Sequence, residues 1–178
     1  MKAVTYSEYA PDDNYAKILK VQDIDDPKPK ADEVVFEVKS AALNYNDIWG
    51  MRGQPVPVPL PHVSGSDAAG DVIAIGEDVK NIKIGDKVVS HSNMSCRVCK
   101  ACTDGREFDC IKRTIWGFQT GPNWGAFQEV THLPEVNISK IPEGVSYDDA
   151  AAASMTILTS WHMLVGRAKI TPGQTVLI

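Results

Sequence analysis

The chain has 178 residues, of which 43% are hydrophobic, and its formal net charge is −5. This length allows one domain with a proper core, or one domain and part of another. The negative charge argues against a nucleic-acid partner bound through its phosphates, and no apolar run is long enough to cross a bilayer, so we expect neither a nucleic-acid nor a membrane partner.

Most of the chain reads as short strands separated by turn residues. Val34, Phe36 and Val38 alternate with Glu37 and Lys39, which is the two-residue period of a half-buried strand. Similar patterns predict strands at residues 31–43, 67–76, 86–91, 125–133 and 136–141. Many short strands at regular spacing predict a mainly β fold with some helices, either a partly open barrel or a sandwich.

A proline-rich segment interrupts this pattern at residues 54–62, where every second residue from 55 to 61 is proline. Proline cannot donate to a strand ladder and favours an extended polyproline conformation. The segment could serve as a ligand for an SH3-type domain. Because it lies inside a folded region, we expect a rigid strap across the barrel instead.

The four cysteines of the chain all lie in one short stretch with the spacing C-x2-C-x2-C-x7-C, at Cys96, Cys99, Cys102 and Cys110. Four thiolates at such intervals predict a closed tetrahedral zinc site, which leaves no position for a substrate. We therefore predict a structural zinc in a lobe at about residues 92–115. The four histidines show no ligand spacing and are predicted to be structural: His62, His91, His132 and His162.

Other states of these cysteines stay open. Disulfides need an oxidising compartment, but residues 1–17 contain no apolar signal segment, so we expect reduced thiols and a cytoplasmic location. Bacterial iron–sulfur proteins use a last gap of three residues followed by proline, whereas here the gap is seven and Ile111 follows. Nearby cations could offset the charge of a four-thiolate zinc site or simply keep the lobe soluble: Arg97, Lys100, Arg106, Lys112 and Arg113.

The pattern changes at Ser146, a candidate N-cap with Asp149 three residues later, and a helix is predicted from there to Gly166. After a turn at Pro172 and Gly173, the apolar run to Ile178 predicts a buried parallel strand without partners. We therefore expect that Ile178 is not a natural domain boundary. The predicted domains are residues 1–145, and residues 146–178 as a linking helix with the first strand of a further domain.

In this order the segments resemble the medium-chain dehydrogenase/reductase superfamily in its zinc-lobe-bearing form. The resemblance spans the chain: residues 26–47, 61–89, the cysteine lobe, 125–130, 140–152 and 171–178. It implies a GroES-like, partly open β-barrel followed by a Rossmann domain, truncated here at its first strand. No Gly-x-Gly-x-x-Gly occurs in the chain, so the main cofactor-binding half is absent and the chain alone is predicted to be inactive.

Members of this family that use a catalytic zinc carry cysteine, histidine and usually cysteine at the positions that match Asn44, Ser66 and Met155. An amide, a hydroxyl and a thioether are poor zinc ligands. The resemblance therefore favours the zinc-independent reductases, which use a nicotinamide cofactor, NADPH or NADH.

Within that group, residues 42–49, 63–70 and 115–130 resemble crotonyl-CoA carboxylase/reductases and acrylyl-CoA reductases. In those enzymes a hydride attacks the β-carbon of an unsaturated acyl-CoA, and charge develops on the thioester oxygen. Hydrogen-bond donors can stabilise that charge without a metal. Asn44, Tyr45 and Asn46 are the predicted catalytic residues. Alternatively, Asn44, Asn46 and Asp47 serve only to organise a turn after a strand.

The same resemblance assigns Trp49, Phe118 and Gln119 to the substrate pocket and Thr159 to the nicotinamide, whereas packing is the simpler role for the aromatic rings and the threonine. Gln119 stands where carboxylating members tend to carry glutamate, so simple reduction is expected. An acyl-CoA or enone substrate and a homo-oligomeric full-length enzyme follow from the family. A quinone or enone reductase, a non-enzymatic zinc-lobe interaction module and an iron–sulfur electron carrier remain alternatives.

Overall fold

The structure is a computed structural model and describes residues 1–177. Within them the strands are β1 Lys2–Thr5, β2 Lys20–Asp23, β3 Glu33–Ala42, β4 Asp67–Ile75, β5 Lys87–Ser90, β6 Asn93–Met94, β7 Thr114–Ile115, β8 Val130–Pro134 and β9 Ile138–Lys140. The α-helices are α1 Tyr15–Ile18, α2 Tyr45–Arg52, α3 Lys100–Thr103 and α4 Tyr147–Trp161. Short 3-10 turns cover Glu107–Asp109 and Glu135–Asn137, and a π-helix covers His162–Arg167. No helix of residues 1–177 is long and apolar enough to cross a membrane.

A five-stranded antiparallel sheet in the order β8-β3-β4-β5-β9 forms the centre of the fold. The β3–β4 register shifts between Val35 and Phe36 and again between Val38 and Ser40. Such bulges increase the local twist, so the sheet curls instead of lying flat. The predicted mainly β, partly open barrel is confirmed as a curled half-barrel.

The apolar side chains form two main clusters on either side of the loops that follow β3 and precede β4. The larger cluster lies against the sheet and contains Val34, Phe36, Ala68, Val72, Ile82, Val88, Trp116, Ala126, Leu133 and Ile138. The smaller one joins the N-terminal segment to α2 and contains Tyr6, Ala10, Ile18, Met51, Val58 and Phe118. Val58 brings the proline-rich segment into this second cluster, which agrees with a strap across the barrel.

Helix α4 packs on the sheet through small side chains. Ser146 caps it, accepting a hydrogen bond from the backbone N–H of Asp149 at 3.0 Å. Ala150 and Ala151 then form a third buried cluster with Ala69 of β4. Because these three alanine methyl groups occupy little space, α4 can pack close to β4, the strand that begins in the site described below.

The C-terminal part differs from the sequence prediction in one respect. The helical path passes Gly166 and ends at Arg167, because its last turns are π-helical and the Ala168 N–H bonds to the Met163 carbonyl oxygen at 2.9 Å. Residues 175–177 form no ladder with the described segments, and the strand predicted there, which is expected to lack partners in this chain, stays a prediction. Ile178, the predicted last residue of that strand, lies outside the described residues.

Candidate functional site

Polar side chains from the end of β3, the start of α2 and the start of β4 meet in one buried group, which we call the polar knot: Asn44, Asn46, Asp47, Ser66 and Asp67. Asn44 is the N-cap of α2, with extended backbone angles. The Asp47 carboxylate accepts hydrogen bonds from the backbone N–H of Asn44 at 2.8 Å and of Gly65 at 2.9 Å. This carboxylate therefore joins the helix start to the loop that carries Ser66. The predicted turn is the first turn of a helix.

Both asparagine side chains are held by neighbours on the β4 side. Asn44 Nδ2 donates to Asp67 Oδ2 at 2.8 Å, and Asn46 Nδ2 donates to Ser66 Oγ at 2.8 Å. The other oxygen of Asp67 accepts from the backbone N–H of Met155 in α4 at 3.1 Å. The Asn46 amide oxygen is buried and has no hydrogen-bond partner among the described residues. The knot contains Asn44 and Ser66, and through Asp67 it contacts the backbone of Met155; these are the three positions that the resemblance matches to zinc ligands.

Burial sets the charge state of the knot. Asp47 and Asp67 are 2% and 0% exposed. Burial raises the pKa of Asp47 to about 6, against the opposing effect of the N–H groups of Asn44 and Gly65. Burial also raises the pKa of Asp67, again opposed by hydrogen bonds, first from the Asn44 side chain. The sequence prediction considered Asp47 only as part of a turn and did not single out Asp67.

The predicted aromatic residues lie on the outer side of α2. Tyr45 and Trp49 are 60% and 40% exposed and make an edge-to-face pair with ring centroids 5.5 Å apart. The Trp49 ring lies 6.4 Å from that of Phe118, which is buried. A largely apolar cavity of about 320 Å³ opens beside Asn44 and Tyr45 and is also lined by Ile48.

Gln119 and Thr159 share a second, larger space of about 970 Å³, which we call the lobe cleft because it lies between the cysteine lobe and the end of α4. The Gln119 side-chain oxygen accepts from the backbone N–H of Ile115 at 3.0 Å, so the amide is fixed at the cleft wall. Thr159 is exposed, one helical turn after Met155. Two of the predicted site residues therefore face the lobe cleft, and Met155 links it to the polar knot.

The four cysteines converge as the spacing predicts. Their sulfur atoms all lie within 4.8 Å of one another, and Cys96 to Cys102, Cys99 to Cys102 and Cys110 to Cys96 are 4.0, 3.5 and 3.6 Å apart. A tetrahedral zinc with Zn–S bonds of about 2.3 Å needs sulfur atoms about 3.8 Å apart, so the set fits this ion. The same separations are far longer than a disulfide bond.

Backbone N–H groups point at sulfur atoms of the cluster, whereas burial raises the pKa of the Cys102 thiol to about 11. Cys110 Sγ accepts from the N–H of Cys96 and from that of Lys112, each at 3.4 Å. Hydrogen bonds from the Val98 and Cys99 backbone lower the pKa of the Cys96 thiol to about 6. Within residues 1–177, these cysteines are the one group of three or more His, Cys, Asp or Glu side chains placed to share a metal ion.

Comparison with known proteins gives the family. Residues 30–143 match the model of the alcohol dehydrogenase GroES-like domain. The chain belongs to this family. A crotonyl-CoA carboxylase/reductase of Cereibacter sphaeroides is 33% identical over 168 residues, covering 90% of the chain and 38% of the relative. An acryloyl-coenzyme A reductase of Metallosphaera sedula is 28% identical over 159 residues, covering 89% and 47%.

The solved structures agree with this assignment. A crystal structure of an NAD-dependent alcohol dehydrogenase superposes with a TM-score of 0.89 at 36% identity, covering 97% of the chain and 49% of that protein. The predicted membership of the medium-chain dehydrogenase/reductase superfamily, with a GroES-like domain, is therefore confirmed. The chain spans about half or less of the length of these relatives.

Proposed function

We propose that the chain is the substrate-side part of an NAD(P)H-dependent reductase of α,β-unsaturated acyl-CoA thioesters. Two relatives support the substrate class, since their names are those of a crotonyl-CoA carboxylase/reductase and an acryloyl-coenzyme A reductase. The observation that carries the proposal is the amide of Asn44, which is partly exposed and anchored by Asp67 in the place of a metal ligand.

The polar knot would act by fixing hydrogen-bond donors before the substrate arrives. The Asn44 NH2 group has two hydrogens, and Asp67 is its one partner among residues 1–177. The second hydrogen is therefore available to the thioester oxygen on which negative charge develops. A fixed donor of this kind needs no rearrangement during the reaction, which is why it stabilises the charge. Asn46 is 6% exposed and holds Ser66, so its part is to position the loop.

The donor set argues for reduction without a catalytic metal. Asn44, Ser66 and Met155 offer an amide, a hydroxyl and a thioether, and the amide nitrogen and the hydroxyl are already hydrogen-bonded inside the knot. The nicotinamide cofactor, when bound, supplies the hydride for the β-carbon. Thr159 at the cleft is the residue of this chain proposed to meet it. Most of the cofactor would be held by residues beyond this chain.

Structural zinc on the four cysteines is part of the proposal. The four thiolates would close the coordination shell, so the ion would hold the lobe together and take no part in the reaction. Carboxylation is not included, because Gln119 supplies a neutral amide where carboxylating relatives tend to carry a carboxylate. We also propose a cytoplasmic homo-oligomer, from the family.

The test is a substrate comparison with the full protein that contains this chain. NADPH oxidation is measured with crotonyl-CoA, acrylyl-CoA and a benzoquinone, for the unchanged protein and for Asn44→Ala. We expect the acyl-CoA substrates to be preferred, and Asn44→Ala to lower kcat by about 10² with those substrates, as for loss of one oxyanion donor.

Asn81→Ala, which removes an exposed amide far along the sequence from the knot, should leave the rate unchanged. A clear preference for the benzoquinone would favour the quinone reductase alternative. A kcat that is the same with and without the Asn44 amide would refute its role.

A further inference from the structure

The lobe cleft carries cationic side chains although the whole chain is acidic. Three arginines, from the cysteine lobe and from the π-helix, line it: Arg97, Arg113 and Arg167. Two carboxylates, Glu107 and Asp109, line it as well. The formal charge of the chain is −5, so an excess of cations at one cleft runs against its overall composition.

Ion pairing leaves two of these arginines without an acidic partner. Arg97 pairs with Glu107 at 3.3 Å, and Asp109 pairs at 2.7 Å with Arg106, which is not part of the cleft wall. Arg113 and Arg167 make no salt bridge with any residue of the described range 1–177. The cleft is thus lined by three cations and two anions, and Arg113 and Arg167 are the cations that keep no carboxylate partner within residues 1–177.

Both unpaired arginines contact Phe108, Arg113 at its backbone and Arg167 at its ring. Arg113 Nη1 donates to the Phe108 carbonyl oxygen. The Arg167 guanidinium lies 5.3 Å from the Phe108 ring centroid, and the His162 ring centroid is 4.8 Å from it. Phe108 is 37% exposed, so part of its surface remains open to a ligand. A partly open ring with one guanidinium over it and a second bonded to the backbone of the same residue suits a planar aromatic base that carries phosphates.

We propose that Phe108, Arg113, Arg167 and His162 form a subsite for the nucleotide tail of the coenzyme A thioester. The guanidinium groups bind its phosphate groups and the Phe108 face stacks on its adenine. This inference rests on the proposed function, because that function supplies a CoA-bearing substrate. Gln119 and Thr159 line the same space of about 970 Å³, so a ligand seated at Phe108 shares this space with two residues proposed to meet the substrate and the cofactor.

The experiment measures binding of free coenzyme A to the zinc-loaded protein by titration calorimetry. The test variant is Arg113→Gln combined with Arg167→Gln. The matched control is Lys112→Gln combined with Lys169→Gln, which removes the same charge from neighbouring exposed residues that do not line the cleft. We expect the test variant to weaken coenzyme A binding at least about tenfold and the control less than about twofold. Binding by the unchanged protein should also weaken as salt is raised.

Binding measurements with NADPH and with a pantetheine thioester show which part of which molecule the subsite recognises. NADPH has a phosphorylated adenosine too, so tighter NADPH binding that is lost in the arginine variant would assign the subsite to the cofactor and overturn the proposal. Pantetheine lacks the nucleotide, and its binding should be the same in all three proteins. If both double variants lose coenzyme A binding equally, the loss comes from the change in overall charge, and the proposed subsite is overturned as well. Neither result would decide whether the protein reduces enoyl thioesters, which the kinetic comparison tests separately.

Discussion

Asp47 and Asp67 show how single residues build the candidate site. Each carboxyl is buried, and each uses both oxygens on groups that belong to different segments. A buried carboxyl left without such donors would cost several kcal/mol, so the N–H groups aimed at these two are part of what makes the knot stable. Both acids have a raised pKa. Asp47 also lines the apolar cavity beside Asn44, but both of its oxygens already accept hydrogen bonds from backbone N–H groups. Both acids are positioning residues, whereas Asn44 is proposed to touch the substrate.

The Asp47 carboxyl should titrate near pH 6, measured from its side-chain carbon by NMR. Its folded pKa lies above the ordinary value of 3.8, so between about pH 4 and pH 6 the folded state keeps a proton that the unfolded chain has released. The free energy of unfolding should therefore fall with rising pH across that window, by up to about 3 kcal/mol from this group.

Asp47→Asn serves as the control, because its amide does not titrate and all other groups are unchanged. The difference between the two unfolding curves should be largest between about pH 4 and pH 6. Parallel curves over that range, or an NMR midpoint near 4, would contradict the raised pKa.

At the scale of elements, the loop of residues 116–120 is locked onto the loop that carries Ser66. Gly117 has a φ of +72°, and a Cβ added there would lie 1.8 Å from the Gly65 carbonyl oxygen. His62, which is fully buried, places its Nε2 at 3.1 Å from the Gly117 carbonyl oxygen. These contacts fix the adjacent residues Phe118 and Gln119, which the sequence assigns to the substrate pocket.

Gly117→Ala should lower the free energy of unfolding by more than about 3 kcal/mol in a urea titration, because backbone strain and a backbone clash add up. Gly85→Ala is a matched control, since Gly85 has a φ of +89° but nothing lies within 4 Å of its added Cβ. That variant carries the strain alone and should lose only about 1–2 kcal/mol. Similar losses in the two variants would show that the close approach to Gly65 has no energetic weight.

The predictability of each element from sequence follows from its burial pattern. Strand β3 was predictable because it alternates in its second half and carries β-branched and aromatic residues. Strand β2 was not, because all four residues are exposed and no alternation is visible. Helix α2 buries Asn46 and Asp47, so its inward face is partly polar, the reverse of the usual amphipathic pattern. The polar residues at the start of α2 therefore predicted a site or a turn instead of a helix. The burial of the Asp47 carboxyl could not be predicted from the sequence.

On the scale of the whole molecule, none of the four lobe cysteines belongs to the main apolar cluster, although Met94 of the lobe packs against it. Trp116, which follows the lobe, belongs to this cluster and has no exposed surface. The spacing of the cysteines predicted their convergence because metal ligation constrains sequence intervals tightly. The cavities and the arginine grouping around Phe108 could not be predicted, because they depend on how the lobe and α4 meet.

Metal analysis should find about one zinc per chain, and a strong chelator should remove it with loss of the short helix α3 and of lobe order. The sheet should persist, because its core contains no lobe ligand, so the emission of buried Trp116 should change little while amide exchange in residues 95–113 becomes fast. Adding zinc back should restore protection. Iron, no metal, or simultaneous loss of sheet and lobe would contradict this account.

Asp67 receives hydrogen bonds from the first residue of one helix and from the middle of another, and Ser154, next to that second contact, donates to the Ser90 carbonyl oxygen at 2.6 Å. These hydrogen bonds connect four parts of the fold into one unit: β4, β5, the N-cap of α2 and helix α4. Phe108 of the lobe contacts His162 and Arg167 in the π-helix that continues α4. Widening of the lobe cleft would therefore separate these side chains without breaking any of the hydrogen bonds of Asp67.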